Sequence, residues 1–316
     1  MDSTPRITAA SWLMIAVLGL TWGGTFMVTE VALTGITPFW LAGARIGFAA
    51  ALMTLIWGLR GFALFERRPT RGDWSAAIAI GALSSAIPFM LLAWGQQYVT
   101  SGFAGVSMAA VALIVLPLAH FLVPGEALNL RKTIGFFIGF AGVVVLIGAQ
   151  AFESTGTALE TPGRIACVSA ACCYATSSIL MRRLPPVDTI GLSTLLLIIA
   201  TAIVVPVALV VEGLPPLPSG TILMVLAFLG LVPTAAANLL RVSVVRTAGP
   251  VFMSLVNYQV PVWSVVLGAL ILGEPLPPAL MLAMALILTG VGLSQYGALT
   301  RLFAARRTAR AAATPR

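Results

Sequence analysis

Ten times along this chain a run of apolar residues, nearly unbroken by charge, is followed by a short polar break. The runs cover approximately 10–32, 38–57, 74–98, 101–123, 130–150, 162–181, 188–211, 220–240, 249–272 and 277–296. About 20 apolar residues of helix cross the hydrocarbon core of a bilayer. Runs of that length and apolarity read as membrane-spanning helices. The expected fold class is therefore an all-α membrane protein with ten transmembrane helices. Composition agrees: hydrophobic residues make up 59% and charged residues 9%, against roughly 25% charged in soluble domains. No break is long enough to fold as a separate soluble domain.

Charge sets the expected orientation. The net charge is +8. In a soluble chain that would suggest nucleic acid, but in a membrane protein positive charge gathers in cytoplasmic loops. With the N-terminus in the cytoplasm, the inner breaks hold Arg60, Arg67, Arg68, Arg71, Arg131, Lys132, Arg182, Arg183, Arg241 and Arg246. Glu153, Glu160, Glu212 and Glu274 then all fall outside. Both termini are expected to be cytoplasmic, with 301–316 a basic tail.

The second half repeats the first. Residues 101–123 end at Pro124-Gly125-Glu126, and 249–272 end at Gly273-Glu274-Pro275. The spans that follow both carry spaced glycines, Gly139 and Gly142 in one, Gly290 and Gly292 in the other. Five spans per copy is an odd number, so the second copy must be inverted. The expected organisation is a first five-helix repeat over 1–150 and an inverted one over 151–300. Inverted repeats mark secondary transporters, whose substrate site lies near mid-membrane between the halves.

Several polar or strained residues fall inside apolar runs, where they need partners or a wet cavity. Trp22 and Tyr174 lie mid-span in corresponding positions, away from the interfaces that aromatic belts occupy. The stretch from Gly249 contains Asn257, Tyr258, Gln259 and Pro261. Consecutive helical residues are about 100° apart, so these cannot all face one way; Asn257 and Tyr258 are the expected cavity residues. Ser85, Trp94, Tyr98 and Asn238 complete the expected cavity set. Trp94 and Tyr98, four residues apart, share a helix face. Asn238 serves equally well as an interhelical hydrogen-bonding group. Pro88, Pro233 and Pro261 permit bending. Arg45 costs about 2.5–3.5 kcal/mol at bilayer depth unless partnered. Glu30 is its expected partner, and both are read as structural charges. Glu126 and Glu274 cap or brace helix ends, and His120 packs.

Other chemistry is not encoded. Cys167, Cys172 and Cys173 lack metal-ligand spacing, and with a single histidine no His-based metal cluster is possible. No serine motif accompanies His120 and no carboxylate pair lies at one depth, so an intramembrane enzyme is disfavoured. No metal, cofactor or nucleic-acid partner is expected.

Several of these residues resemble the drug/metabolite transporter superfamily, and within it the ten-helix EamA-type exporters, including the bacterial aromatic amino acid exporter group. They are Trp22-Gly23, Pro38 with Leu41-Ala-Gly-Ala-Arg45, and the paired Gly125-Glu126 and Gly273-Glu274 endings. The resemblance covers nearly the whole chain. It implies export of amino acids or similar small metabolites across a bacterial inner membrane by alternating access. It further implies a cavity lined by spans one, three, four, six, eight and nine, with five and ten peripheral. No mid-span carboxylate matches the proton-exchanging glutamate of the four-helix members. A carrier running down its solute gradient is thus expected, with proton-coupled antiport as the alternative. Its partners are a small-molecule solute and the lipid bilayer, and it is expected to work as a monomer.

Overall fold

A computed structural model describes residues 7–65, 67–122, 128–148, 159–182 and 184–312. Its ten helices follow the ten apolar runs. They are α1 (Ala9–Leu33), α2 (Pro38–Leu59), α3 (Arg71–Gly95), α4 (Ser101–Leu122) and α5 (Leu130–Gly148). The second set is α6 (Glu160–Met181), α7 (Thr189–Glu212), α8 (Gly220–Leu229, Gly230–Ala236 and Ala237–Ala248), α9 (Val256–Leu272) and α10 (Pro278–Ala312). A single helical turn, Pro250–Met253, precedes α9. Eight of the ten are long and apolar enough by themselves to cross a membrane, and α9 is a shorter apolar helix.

Local sequence starts these helices. Thr8 and Ser11 form a capping box at α1, and Thr70 and Asp73 form one at α3. Asp188 accepts from the Ile190 and Gly191 amides at the start of α7. Such caps satisfy the orphan N–H groups of a first turn. The start of α2 has no side-chain cap of its own. Instead Glu212, at the end of α7, accepts from Thr37 Oγ1 (2.6 Å), the Phe39 amide (2.9 Å) and the Trp40 amide (3.1 Å). At the opposite end of this helix pair, Arg60 meets Asp188 at 3.6 Å. The two ends of the α2–α7 pair are thus tied by polar links between the halves.

The main helix pairings are preserved when the two sets of five are exchanged. The pairs α2 with α7, α4 with α9, and α5 with α10 map onto themselves. The contacts of α1 with α9 and α8 map onto those of α6 with α4 and α3, and α2 with α8 maps onto α7 with α3. An odd number of crossings separates each helix from its counterpart, so the two repeats run in opposite senses. Pairing of α5 with α10 rests on glycine. A Cβ at Gly135 would stand 2.6 Å from the Gly290 carbonyl oxygen. Small residues let two backbones approach this closely in lipid, where packing rather than the hydrophobic effect joins helices.

Three boundaries differ from the sequence expectation, the first being α9, which starts at Val256 and not at 249. Helix α8 continues to Ala248, so Arg241 and Arg246 lie in a helix and not in the break after it. Helix α10 continues to Ala312, through most of the expected basic tail. Both extensions are rich in Ala, Arg, Leu or Val, and hydropathy alone marks where a run stops being apolar, not where helix propensity ends.

Candidate functional site

Two helices are interrupted where the halves meet. In α3, residues Ala82–Ala86 form a π-helical turn just before Pro88, and in α8, Gly230–Ala236 form one around Pro233. Proline lacks the N–H that an α-helix needs. At Pro233 the consequences can be followed bond by bond. The Leu229 carbonyl, which an α-helical residue 233 would have bonded, accepts instead from Thr234 Oγ1 at 2.8 Å. The Ala237 amide bonds Val232 O rather than Pro233 O. The released Pro233 carbonyl takes the indole N–H of Trp22 at 2.9 Å. Trp22 is therefore held against α8 by a carbonyl that the bulge exposes.

Beside this joint lies Arg45 of α2. Its Nε donates to Thr234 Oγ1 at 2.9 Å, and its guanidinium sits 4.2 Å from the centre of the Phe89 ring of α3. Tyr174 of α6 lies within electrostatic reach of Arg45. Side chains from both halves thus converge on one cation. On its other side Arg45 borders a narrow cleft with Thr25, Thr29, Phe89 and Gln96. The amide of Gln96 is anchored by donation to Phe26 O at 2.9 Å. One α-helical turn past Thr234, Asn238 accepts from Arg241 Nε at 3.1 Å.

Glu30 is not the partner of Arg45. It lies beside Glu274 at the start of α4, where Glu274 accepts from the Ser101 amide (2.7 Å) and the Gly102 amide (3.0 Å). Glu30 is near the end of α1 and Arg45 near the start of α2, but α2 turns its arginine toward α8. The capping reading for Glu274 matches this geometry, while Glu126 lies outside the described residues.

The remaining expected cavity residues are scattered. Ser85 is buried within the π-turn of α3. Trp94 and Tyr98 form an edge-to-face pair with ring centroids 5.1 Å apart. Asn238 hydrogen-bonds within its own helix. Asn257 is exposed, and Tyr258 is directed at α10, with its Cε1 about 4.0 Å from a Cβ at Gly292. Gln259 instead packs over Gly19 of α1. Sequence reasoning missed Thr234, Arg241, Phe89 and Gln96. The Pro233-Thr234 dipeptide was the available signal for the first: a hydroxyl next to a mid-span proline can repair the bond that the proline breaks. Arg164 of α6 was legible too, since it pairs with Glu160 at helical spacing of four, both side chains buried.

Comparison with known proteins agrees with this fold. The chain is 27% identical over 283 residues to the uncharacterized inner membrane transporter YedA of Escherichia coli (strain K12), covering 89% of each chain. It is 22% identical over 295 residues to the uncharacterized transporter YvbV of Bacillus subtilis (strain 168), covering 93% of each. A crystal structure with 22% sequence identity superposes with a TM-score of 0.64, covering 91% of this chain and 98% of that one, which is a likeness of fold. The model of the EamA-like transporter family matches twice, over residues 9–148 and 161–295. Both matches fall on the five-helix sets described above, and the chain, a multi-pass membrane transporter, belongs to the EamA-like transporter family.

Proposed function

We propose that this transporter exports amino acids or similar small metabolites across the bacterial inner membrane by alternating access, acting as a monomer with both termini in the cytoplasm. The observation that carries this reading is the convergence on Arg45. A residue of the first half meets Thr234 of the second. A solute held there touches both repeats, so rocking one repeat against the other changes the side to which it is exposed. The units that move are residues 1–150 and 151–300. The π-turns beside Pro88 and Pro233 supply the bending points, because their hydrogen bonds are already rearranged.

Among the described residues, the side chains gathered round Arg45 include no carboxylate and no histidine, so none exchanges a proton readily near neutral pH. Transport therefore runs down the solute gradient. The test is counterflow in proteoliposomes with a panel of radiolabelled amino acids and related metabolites. Exchange without an imposed gradient supports a carrier, and no exchange of any solute removes the reading. Proton-coupled antiport is the second reading, favoured by the contact of Glu30 with Glu274, since adjacent carboxyls are a proton-holding arrangement. Uphill accumulation driven by a pH gradient, abolished by Glu30→Gln, selects it. Orientation is tested in a background without native cysteine. A maleimide reagent added outside whole cells labels Leu217→Cys, which lies in the break between α7 and α8, and leaves Arg68→Cys unlabelled. The reverse pattern overturns the orientation.

A further inference from the structure

Arginines within membrane-spanning helices are normally paired with carboxylates or backbone carbonyls. Arg45 and Arg241 depart from this. Arg45 has a hydroxyl and a ring as neighbours, and Arg241 has an amide oxygen. Neither forms an ion pair with any described carboxylate. Those carboxylates are committed elsewhere: Asp188 to Arg60, Asp73 to Arg67, Glu160 to Arg164, and Glu212 and Glu274 to the starts of α2 and α4. Glu30 stands with Glu274.

The two cations are also linked through one helix face. Thr234, Asn238 and Arg241 are spaced by four and then three residues, which places them in a row on α8. Thr234 holds Arg45 at one end of the row, and Asn238 holds Arg241 at the other. In each case the hydrogen bond uses Nε, the atom nearest the stem. A guanidinium held by Nε still presents terminal N–H groups in the planar fork that suits two carboxylate oxygens. Phe89 supplies an aromatic face over Arg45.

We propose that Arg45, with Arg241 farther along the same row, is an anion-recognition site that selects solutes carrying a carboxylate and no fixed positive charge. Arg45 makes the primary contact and Arg241 a second station on the solute's path along α8. This rests on the transporter reading above and narrows its solute class. An ammonium group gains nothing here, because no described acidic side chain is placed to receive it and two cations repel it. Within the metabolites proposed above, organic acids rank ahead of zwitterionic amino acids.

The test uses the full chain, purified in detergent, and four probes that share one ring and chain: phenylpropionate, phenylpropionamide, phenylpropylamine and phenylalanine. Binding is followed by tryptophan fluorescence and by thermal shift. Phenylpropionate should bind about tenfold or more tighter than its amide, the increment typical of a charge-assisted hydrogen bond, and the amine should bind weakest. Arg45→Gln should erase the preference, Arg45→Lys should keep part of it, and Arg241→Gln should reduce it. Circular dichroism and a monodisperse elution profile verify that each variant is folded. Equal binding of acid and amide, a preference for phenylalanine, no binding of any probe to folded wild type, or a preference that survives Arg45→Gln each overturn the proposal. If amino acid counterflow persists under those outcomes, the transporter reading stands and the anion site alone falls. Selective binding of the acid with no flux of any solute has the opposite meaning.

Discussion

Where α2 crosses α8, a Cβ at Gly230 would stand 2.5 Å from Phe48 Cβ and 2.7 Å from the Arg45 carbonyl oxygen. Where α7 crosses α3, a Cβ at Gly81 would stand 2.8 Å from Ile199 Cγ2 and 3.3 Å from the Leu196 carbonyl oxygen. The two crossings are the same joint in the two repeats: a glycine against a carbonyl and a branched or aromatic side chain one turn on, followed by a π-turn. Their chemistry is not the same. Arg45 in one joint stands where buried Leu196 stands in the other. Counting on from each glycine, Thr234, Asn238 and Arg241 stand where Ser85, Phe89 and Leu92 stand. Duplication preserved the backbone approach, which helix packing requires in both halves. It left the side chains free to diverge, and polarity was concentrated at one joint. A site with one cationic wall can orient a solute, whereas a symmetric site would bind it in two opposite poses.

Exchanging the chemistry across this pair is the sharpest test. Leu196→Arg should destabilise the protein by about 3 kcal/mol, the order expected for an arginine without a partner at membrane depth. Thermal unfolding in detergent measures this. Arg45→Leu should leave the fold standing and abolish solute counterflow, and equal destabilisation by both changes would break the comparison. Next in size is the glycine contact. Gly230→Ala should cost about 1–3 kcal/mol, because its clash includes a backbone carbonyl that cannot swing away. Gly81→Ala should cost less than Gly230→Ala but still about 1 kcal/mol, since its contacts with Ile199 (2.8 Å to Cγ2) and the Leu196 carbonyl (3.3 Å) are the longer ones.

Smaller effects probe the polar side of the joint. Thr234→Val removes both the acceptor for Arg45 and the repair of the Leu229 carbonyl, and should cost about 1–2 kcal/mol by unfolding. Ser85→Ala, at the equivalent position, should stay within about 0.5 kcal/mol. Trp22→Phe keeps the ring and deletes the N–H that reaches Pro233. It should cost about 1 kcal/mol and slow counterflow, and an unchanged rate would remove the indole from the moving joint.

Hydropathy, read along the chain, was sufficient for the ten helices, and the repeated glycine–glutamate endings for their grouping into two sets of five. The reason is that lipid permits so few backbone solutions: a long apolar run has almost no choice but to be helical. The end of α8 was misjudged because Arg241 and Arg246 read as loop residues by charge, although the helix around them continues to Ala248. Mid-span residue types likewise marked Trp22, Arg45, Tyr174 and Asn238 as expensive and in need of a reason. What those residues do was decided in three dimensions. Glu30 looked like the mate of Arg45 because both are charges in neighbouring helices, yet the rotation of α2 aims the arginine at Thr234. Asn257 and Tyr258 looked alike in polarity, yet α9 leaves one exposed and turns the other toward α10. Partner choice depends on helix rotation and on which carbonyls a proline sets free. Both are settled by the packing of residues nearly two hundred positions apart, and no local pattern encodes that distance.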